Sequence, residues 1–245
     1  MKISESRKKE LLQFLHNNNL ICDNLELLNK ALTHSSYTNE NNLSSFENYE
    51  RLEFLGDAVL KLISSRYLYE KFENYDEGIL SKIRAALTSD NTLSKFASKI
   101  DLGKYMIFGP AEKKLGGENR KSSLACAFEA LLGALYLDNK GEITKNFLLE
   151  FLKEETPYIE THLAQLNAKS TLQEYTQEKY KTLPEYKIIN ETGPAHKKTF
   201  EIQIEINGQT ISKATGDSKK EAQQNAAYLA IKKLGLLAKE EEQNV

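Results

Sequence analysis

Residues 124–137 read LACAFEALLGALYL, apolar or small at every position except Glu129. A helix that is apolar all round is a buried helix, and a buried carboxylate without a partner is strongly destabilising. Glu129 must therefore be protonated, paired or holding a cation. A candidate partner lies upstream, where residues 49–60 read YERLEFLGDAVL. At about 100° per residue, Glu50, Glu53 and Asp57 fall within about 60° of one another on one helix face. Leu52, Leu55, Val59 and Leu62 are expected to cover the opposite face. One carboxylate cluster and one buried carboxylate together predict a divalent-cation site. Two plainer readings of the same residues stay open. Glu50, Glu53, Asp57 and Lys61 can form a solvated face with Asp57 and Lys61 paired at i, i+4, and Glu129 can be a core acid hydrogen-bonded to backbone.

The composition of the 245 residues, 40% hydrophobic and 28% charged, is that of a globular protein with room for one large or two medium domains. The formal net charge of −2 argues weakly against nucleic-acid binding, although whole-chain charge averages over domains. Cys22 and Cys126 stand in neither metal-binding nor disulfide-framework spacing, which favours a reducing compartment. The N-terminal residues MKISESRKKELLQFLHNNN lack the apolar core of a signal peptide. No uncharged apolar run reaches the roughly 18 residues of a membrane span. A cytoplasmic protein without membrane association is expected.

Helical spacing of apolar residues predicts helices over 8–15, 25–32, 49–72, 80–100, 123–137 and 143–155, separated by Asn and Gly clusters. The signal weakens after Pro157, and 162–168 reads as a linker. From Lys169 the pattern changes. A helix is predicted over 170–179 and a short strand over 186–189. Phe200, Ile202, Ile204 and Ile206 then alternate with Glu201, Gln203 and Glu205. Asn207-Gly208 signals a hairpin, returning through 209–214, and Ser218-Lys-Lys-Glu221 has the form of a capping box opening a helix to about residue 233. The order is α-β-β-β-α, followed by an acidic tail.

The run ERLEFLGD at 50–57, followed by FEALLGALYLD at 128–138, closely resembles the nuclease domain of ribonuclease III. The α-β-β-β-α segment resembles a double-stranded-RNA-binding domain over essentially its whole length. Its matching elements are TLQEYTQ at 171–177, GPAHKKTF at 193–200 and GDSKKEAQQNAA at 216–227. The expected fold is an all-α nuclease domain over 1–160, a linker over 161–168, a small α+β (α-β-β-β-α) RNA-binding domain over 169–237 and an acidic tail over 238–245.

The resemblance implies a catalytic and metal-binding set at Glu53, Asp57 and Glu129, with Asp57 and Glu129 central to catalysis and Mg²⁺ as cofactor, Mn²⁺ substituting. Cys126 stands at the usual fourth-ligand position, where the family is acidic. A thiol is a poor ligand for so hard an ion, so Cys126 is read as a small packing residue. Phe54, about 40° from Glu50 on the carboxylate side, corresponds to a residue that enters the partner subunit of a twofold homodimer. His34, in THSSY, is read as helix packing, and Arg84 as structurally paired, with neutralisation of phosphate or of the carboxylate cluster as its alternative.

RNA contacts are implied for Gln173, Glu174, Gln177, His196, Lys219 and Lys220. The chemistry suits A-form RNA, whose wide minor groove displays 2′-hydroxyls. Residues 168–237 hold eleven Lys and no Arg against seven Glu and one Asp, a balance of +3 in an otherwise acidic chain. Gln223 stands where many such domains carry a further basic residue, which suggests modest phosphate affinity. The implied protein is a homodimeric, Mg²⁺-dependent endoribonuclease for double-stranded RNA in ribosomal and other precursor processing, leaving 5′-phosphate and 3′-hydroxyl ends. The alternative is a dimeric duplex-binding protein silenced by Cys126. A sequence-specific regulator fits less well, because A-form duplex offers little base readout.

Overall fold

The computed structural model describes residues 3–194 and 198–236, which divide into two compact units between Tyr158 and Ile159. The first unit is helical. Its elements are α1 (Glu5–Asn17), α2 (Leu25–Ala31), α3 (Ser35–Glu40), α4 (Glu50–Lys71), α5 (Glu77–Leu87), α6 (Asp90–Lys99), α7 (Leu102–Tyr105), α8 (Pro110–Lys114), α9 (Lys121–Leu137) and α10 (Gly141–Thr161), the last reaching past the boundary. The centre is α9, which packs against α2, α4, α6 and α7. Ala127, Phe128, Leu131, Leu132 and Leu135 are fully buried. Phe128 meets Phe96 at 5.8 Å and Phe151 edge-on at 5.7 Å, fastening α6 and α10 to the central helix.

At two glycines α4 and α9 meet backbone to backbone. A β-carbon at Gly56 would fall 1.7 Å from the peptide oxygen of Glu129, and one at Gly133 would fall 2.3 Å from that of Leu52. Only glycine admits this approach. The buried stripe of α4 accordingly runs through Leu52, Gly56, Val59, Leu60, Ser64 and Leu68. Leu62, expected in the buried stripe, is 68% exposed. The expectation failed because it weighed large apolar side chains and gave Gly56, at the centre of the contact, no weight.

Other expectations shift in detail. The helix expected over 80–100 is two, α5 and α6, broken where Ser89 leaves the helical conformation and its Oγ accepts the amide of Thr92 at 3.4 Å. Both halves bury apolar residues, Ile83 and Leu87 before the break and Leu93 and Phe96 after it, so periodicity alone runs through. The helix α10 continues through Pro157 to Thr161, since proline removes one hydrogen bond rather than a whole helix. The burial of α9 ends at Leu135, leaving Tyr136 and Leu137 about half exposed.

The second unit contains α11 (Leu163–Leu166), within the segment read as a linker, then α12 (Ala168–Tyr180), β1 (Glu185–Thr192), β2 (Thr199–Ile206), β3 (Gln209–Gly216) and α13 (Lys219–Lys233). The sheet is antiparallel in the order β1-β2-β3. Strand β1 runs beyond the predicted 186–189 because its register shifts between Ile188 and Asn190, and a bulge there ends the simple alternation. Asn207 and Gly208 both take positive φ, 50° and 75°, in the two-residue turn joining Ile206 to Gln209. Ile202, Ile204 and Ile206 bury one sheet face against Ala222, Ala226, Ala227 and Ala230 of α13, with Leu172 of α12 in the same core. At the start of α13 the Glu221 amide donates to Ser218 Oγ at 3.1 Å, while the Glu221 carboxylate accepts the Asp217 amide at 3.0 Å. The capping box thus reaches one residue further back than its simplest form. Among the described residues no helix is long and apolar enough to cross a membrane, and Cys22 and Cys126 are free. The acidic tail lies outside the described residues.

Candidate functional site

The backbone contact at Gly56 sets the geometry of the carboxylates. Glu53 and Asp57 flank that glycine on α4, and the Glu129 peptide against it carries the third acid. Cys126 sits one turn before Glu129 on the same face of α9. All four side chains lie half-buried along one seam rather than sealed in the core. Glu129 therefore occupies a break in the apolar surface of α9.

The seam concentrates negative charge. Burial, followed by the charges of Asp57, Glu53 and Asp90, pushes the Glu129 carboxyl up to about 8, with Lys61 opposing. Burial also raises Glu53, against the effect of its hydrogen bond with Cys126 and reinforced by Glu50, Asp57 and Asp90. The Cys126 thiol is raised to about 12 by burial, then by the charge of Glu53 and its hydrogen bond to that carboxylate. A thiol so raised keeps its proton and donates it to Glu53. The hydroxyl of Tyr49 is raised by burial and by the neighbouring Cys126 and Glu53, and it is hydrogen-bonded to Cys126. Lys61 Nζ meets Asp57 Oδ2 at 2.8 Å, the i, i+4 pair that the sequence allowed.

Among the described residues no three His, Cys, Asp or Glu side chains stand close enough to hold one ion directly among them. The donors are nevertheless of one kind: three hard carboxylates beside a protonated thiol. Such a set suits an ion that binds through one or two carboxylates and retains its waters, and it does not suit a soft metal.

Asp90, the first residue of α6, was not found from the sequence. Its charge acts on Glu53, Cys126 and Glu129. The cue was local: Ser89-Asp90 is an N-cap followed by a first-turn acid. His34 caps α3, its Nδ1 accepting the Ser36 amide at 3.0 Å. Arg84 is likewise taken up, donating to Ser65 Oγ at 2.8 Å and Ser81 Oγ at 3.3 Å. Phe54 projects outward and is 83% exposed.

In the second unit Gln173, Glu174 and Gln177 share the exposed side of α12, opposite buried Leu172 and Thr176. Lys219 and Lys220 are exposed in the first turn of α13, and Lys219 Nζ lies 5.6 Å from the centre of the Phe200 ring. His196 lies outside the described residues. Gln223 is occupied by a residue from the other helix, its Oε1 accepting from Lys169 Nζ at 2.7 Å.

Comparison with known proteins follows the same division. A family model described as Ribonuclease-III-like matches residues 24–156, and one described as Double-stranded RNA binding motif matches 168–234. The chain is 43% identical over 229 residues to Ribonuclease 3 of Borreliella afzelii, covering 94% of this chain and 93% of that protein. It is 44% identical over 213 residues to Ribonuclease 3 of Listeria monocytogenes, covering 86% and 92%. Among solved structures, the nuclease domain of ribonuclease III from Campylobacter jejuni, described with a flexible region involved in dimer formation, superposes with a TM-score of 0.54 at 36% identity. It covers 59% of this chain and 97% of that domain.

Proposed function

The chain belongs to the ribonuclease III family, and on that premise we propose that it is a Mg²⁺-dependent, homodimeric endoribonuclease that cleaves double-stranded RNA. The observation that carries the reading is the seam at Gly56, which brings Glu53, Asp57 and Glu129 together beside a neutral thiol. Those carboxylates would hold Mg²⁺ through one or two direct oxygens and the ion's retained waters, with Mn²⁺ as substitute. When bound, the ion supplies an activated water and neutralises charge on the phosphoryl oxygens. Lys61 holds Asp57 in place through their 2.8 Å pair, and Cys126 steadies Glu53 by donating its proton. Cleavage leaves 5′-phosphate and 3′-hydroxyl ends, and the substrates are ribosomal and other RNA precursors. Labelled duplex RNA incubated with and without Mg²⁺ tests the reading. Duplex binding without cutting at any Mg²⁺ concentration would favour the second reading, a silent duplex-binding protein, which the thiol at Cys126 supports.

Substitutions at Cys126 refine that choice. Cys126→Asp is expected to lower the Mg²⁺ concentration for half-maximal cleavage, whereas Cys126→Ala leaves cleavage within a few-fold of wild type. If Cys126→Asp instead lowers the melting temperature without improving Mg²⁺ use, the surroundings of Sγ have adapted to a small uncharged group. A collapse of cleavage in folded Cys126→Ala would show that the sulfur acts at the site.

The second unit supplies the grip on the duplex. Gln173, Glu174 and Gln177 present polar groups suited to 2′-hydroxyls, and Lys219 and Lys220 meet phosphates at a helix N-terminus. Replacing both lysines by Ala is expected to flatten the slope of log K against log[salt] by about 2 units, taking duplex DNA as the guide. An unchanged slope would place the phosphates elsewhere.

The homodimer is supported by the outward face of α4. Phe54, Leu62 and Tyr69 are 83%, 68% and 75% exposed and fall within about 80° of one another around the helix. Phe54→Ala is expected to raise the dimer dissociation constant about 100-fold or more, since the contact occurs twice under twofold symmetry. Sedimentation equilibrium giving an equally tight dimer would remove Phe54 from the interface.

A further inference from the structure

We propose that Lys169, on α12, is a third phosphate-binding cation, held by the fold over the same face of α13 that carries Lys219 and Lys220. The inference rests on reading the start of α13 as a phosphate face, and it adds a residue from a different helix. Lys169 is the second residue of α12, and its place is set by buried Ala168 and Leu172 on either side. Its Nζ donates to Gln223 Oε1 at 2.7 Å and lies 4.9 Å from the centre of the Tyr186 ring. Gln223 follows Lys219 by four residues and Lys220 by three, so all three side chains leave the same side of α13. The ammonium of Lys169 is thereby brought beside two cations it does not neighbour in sequence.

This arrangement is unlike an ordinary surface lysine. A free lysine loses its rotamer freedom when it grips an anion. Here the Gln223 amide oxygen and the Tyr186 ring have already fixed the ammonium before any ligand arrives. An ammonium has three donors, and Gln223 takes one. Burial and the nearby Lys220 charge hold Lys169 below its usual value, a repulsion that an anion between the two would relieve. The nearest acid in the α13 first turn is turned elsewhere, since the Glu221 carboxylate accepts the Asp217 amide. The ligand that fits is the phosphodiester backbone of duplex RNA, met by three cations spread over two helices.

The test uses the full chain and a short RNA duplex in EDTA, measuring affinity across a salt series. Lys169→Gln is expected to flatten the slope of log K against log[salt] by about 0.9 unit, and Lys169→Arg to retain the wild-type slope. Lys169→Met, which keeps the stem over Tyr186, should match Lys169→Gln and covers the case in which the amide perturbs folding. Thermal melts accompany each variant. A wild-type slope for Lys169→Gln and Lys169→Met, beside a flattened slope for the Lys219→Ala/Lys220→Ala double variant, overturns this inference alone. Weaker binding with an unchanged slope overturns it as well, because that is the signature of a purely structural lysine. An unchanged slope for the double variant instead overturns the α13 reading, and the shared cradle with it.

Discussion

Glu129→Gln is expected to abolish cleavage of duplex RNA while leaving the protein folded and its RNA affinity near wild type. The amide is nearly isosteric with the carboxyl but offers no anionic donor. A metal ion's stabilisation of transition-state charge is worth several kcal/mol, so losing one of the ligands proposed above should cost about a thousandfold or more in rate. The half-buried position needs no counter-charge once the carboxylate is gone, so the fold loses nothing by the exchange. RNA affinity is measured in EDTA at fixed salt, and cleavage across a Mg²⁺ titration. Cleavage by Glu129→Gln within tenfold of wild type would remove Glu129 from the reaction. Asp57→Asn is expected to behave in the same way.

Gly56→Ala should have the largest effect on stability. One added methyl would lie 1.7 Å from the Glu129 peptide oxygen, and no side-chain rotation relieves a clash with backbone. Overpacking in cores costs about 1–3 kcal/mol where side chains can yield, so a loss above about 3 kcal/mol is expected here. That is a large part of the roughly 5–15 kcal/mol that stabilises a domain. Denaturant unfolding reads the loss. A midpoint equal to wild type would mean that the two helices part without penalty, and cleavage would then report whether the carboxylates still meet.

The acids on α4 and α9 were legible because a carboxylate in an apolar helix is improbable without a purpose, and Glu129 stood alone among fourteen residues. The alternation from Phe200 to Ile206 and the turn at Asn207-Gly208 were legible because period two and positive φ leave direct marks in sequence. The error at Leu62 came from counting side chains where the contact is backbone. Asp90 escaped because it joins the site through folding, from a helix start more than thirty residues after Asp57. The Lys169–Gln223 bond was equally hidden, since it spans 54 residues and links two helices by one side chain each.

Contact between peptide groups has one more property: it has no rotamers. Packed side chains can exchange wells and let helices slide by fractions of an ångström, but the planes meeting at Gly56 and Gly133 have no alternative setting. The spacing between the acids of α4 and the acid of α9 is therefore held at its base and adjustable only at its tips. Glutamate has one more rotatable bond than aspartate. Adaptation to cations of different radius would fall to Glu53 and Glu129, with Asp57 as the stationary jaw of an adjustable wrench.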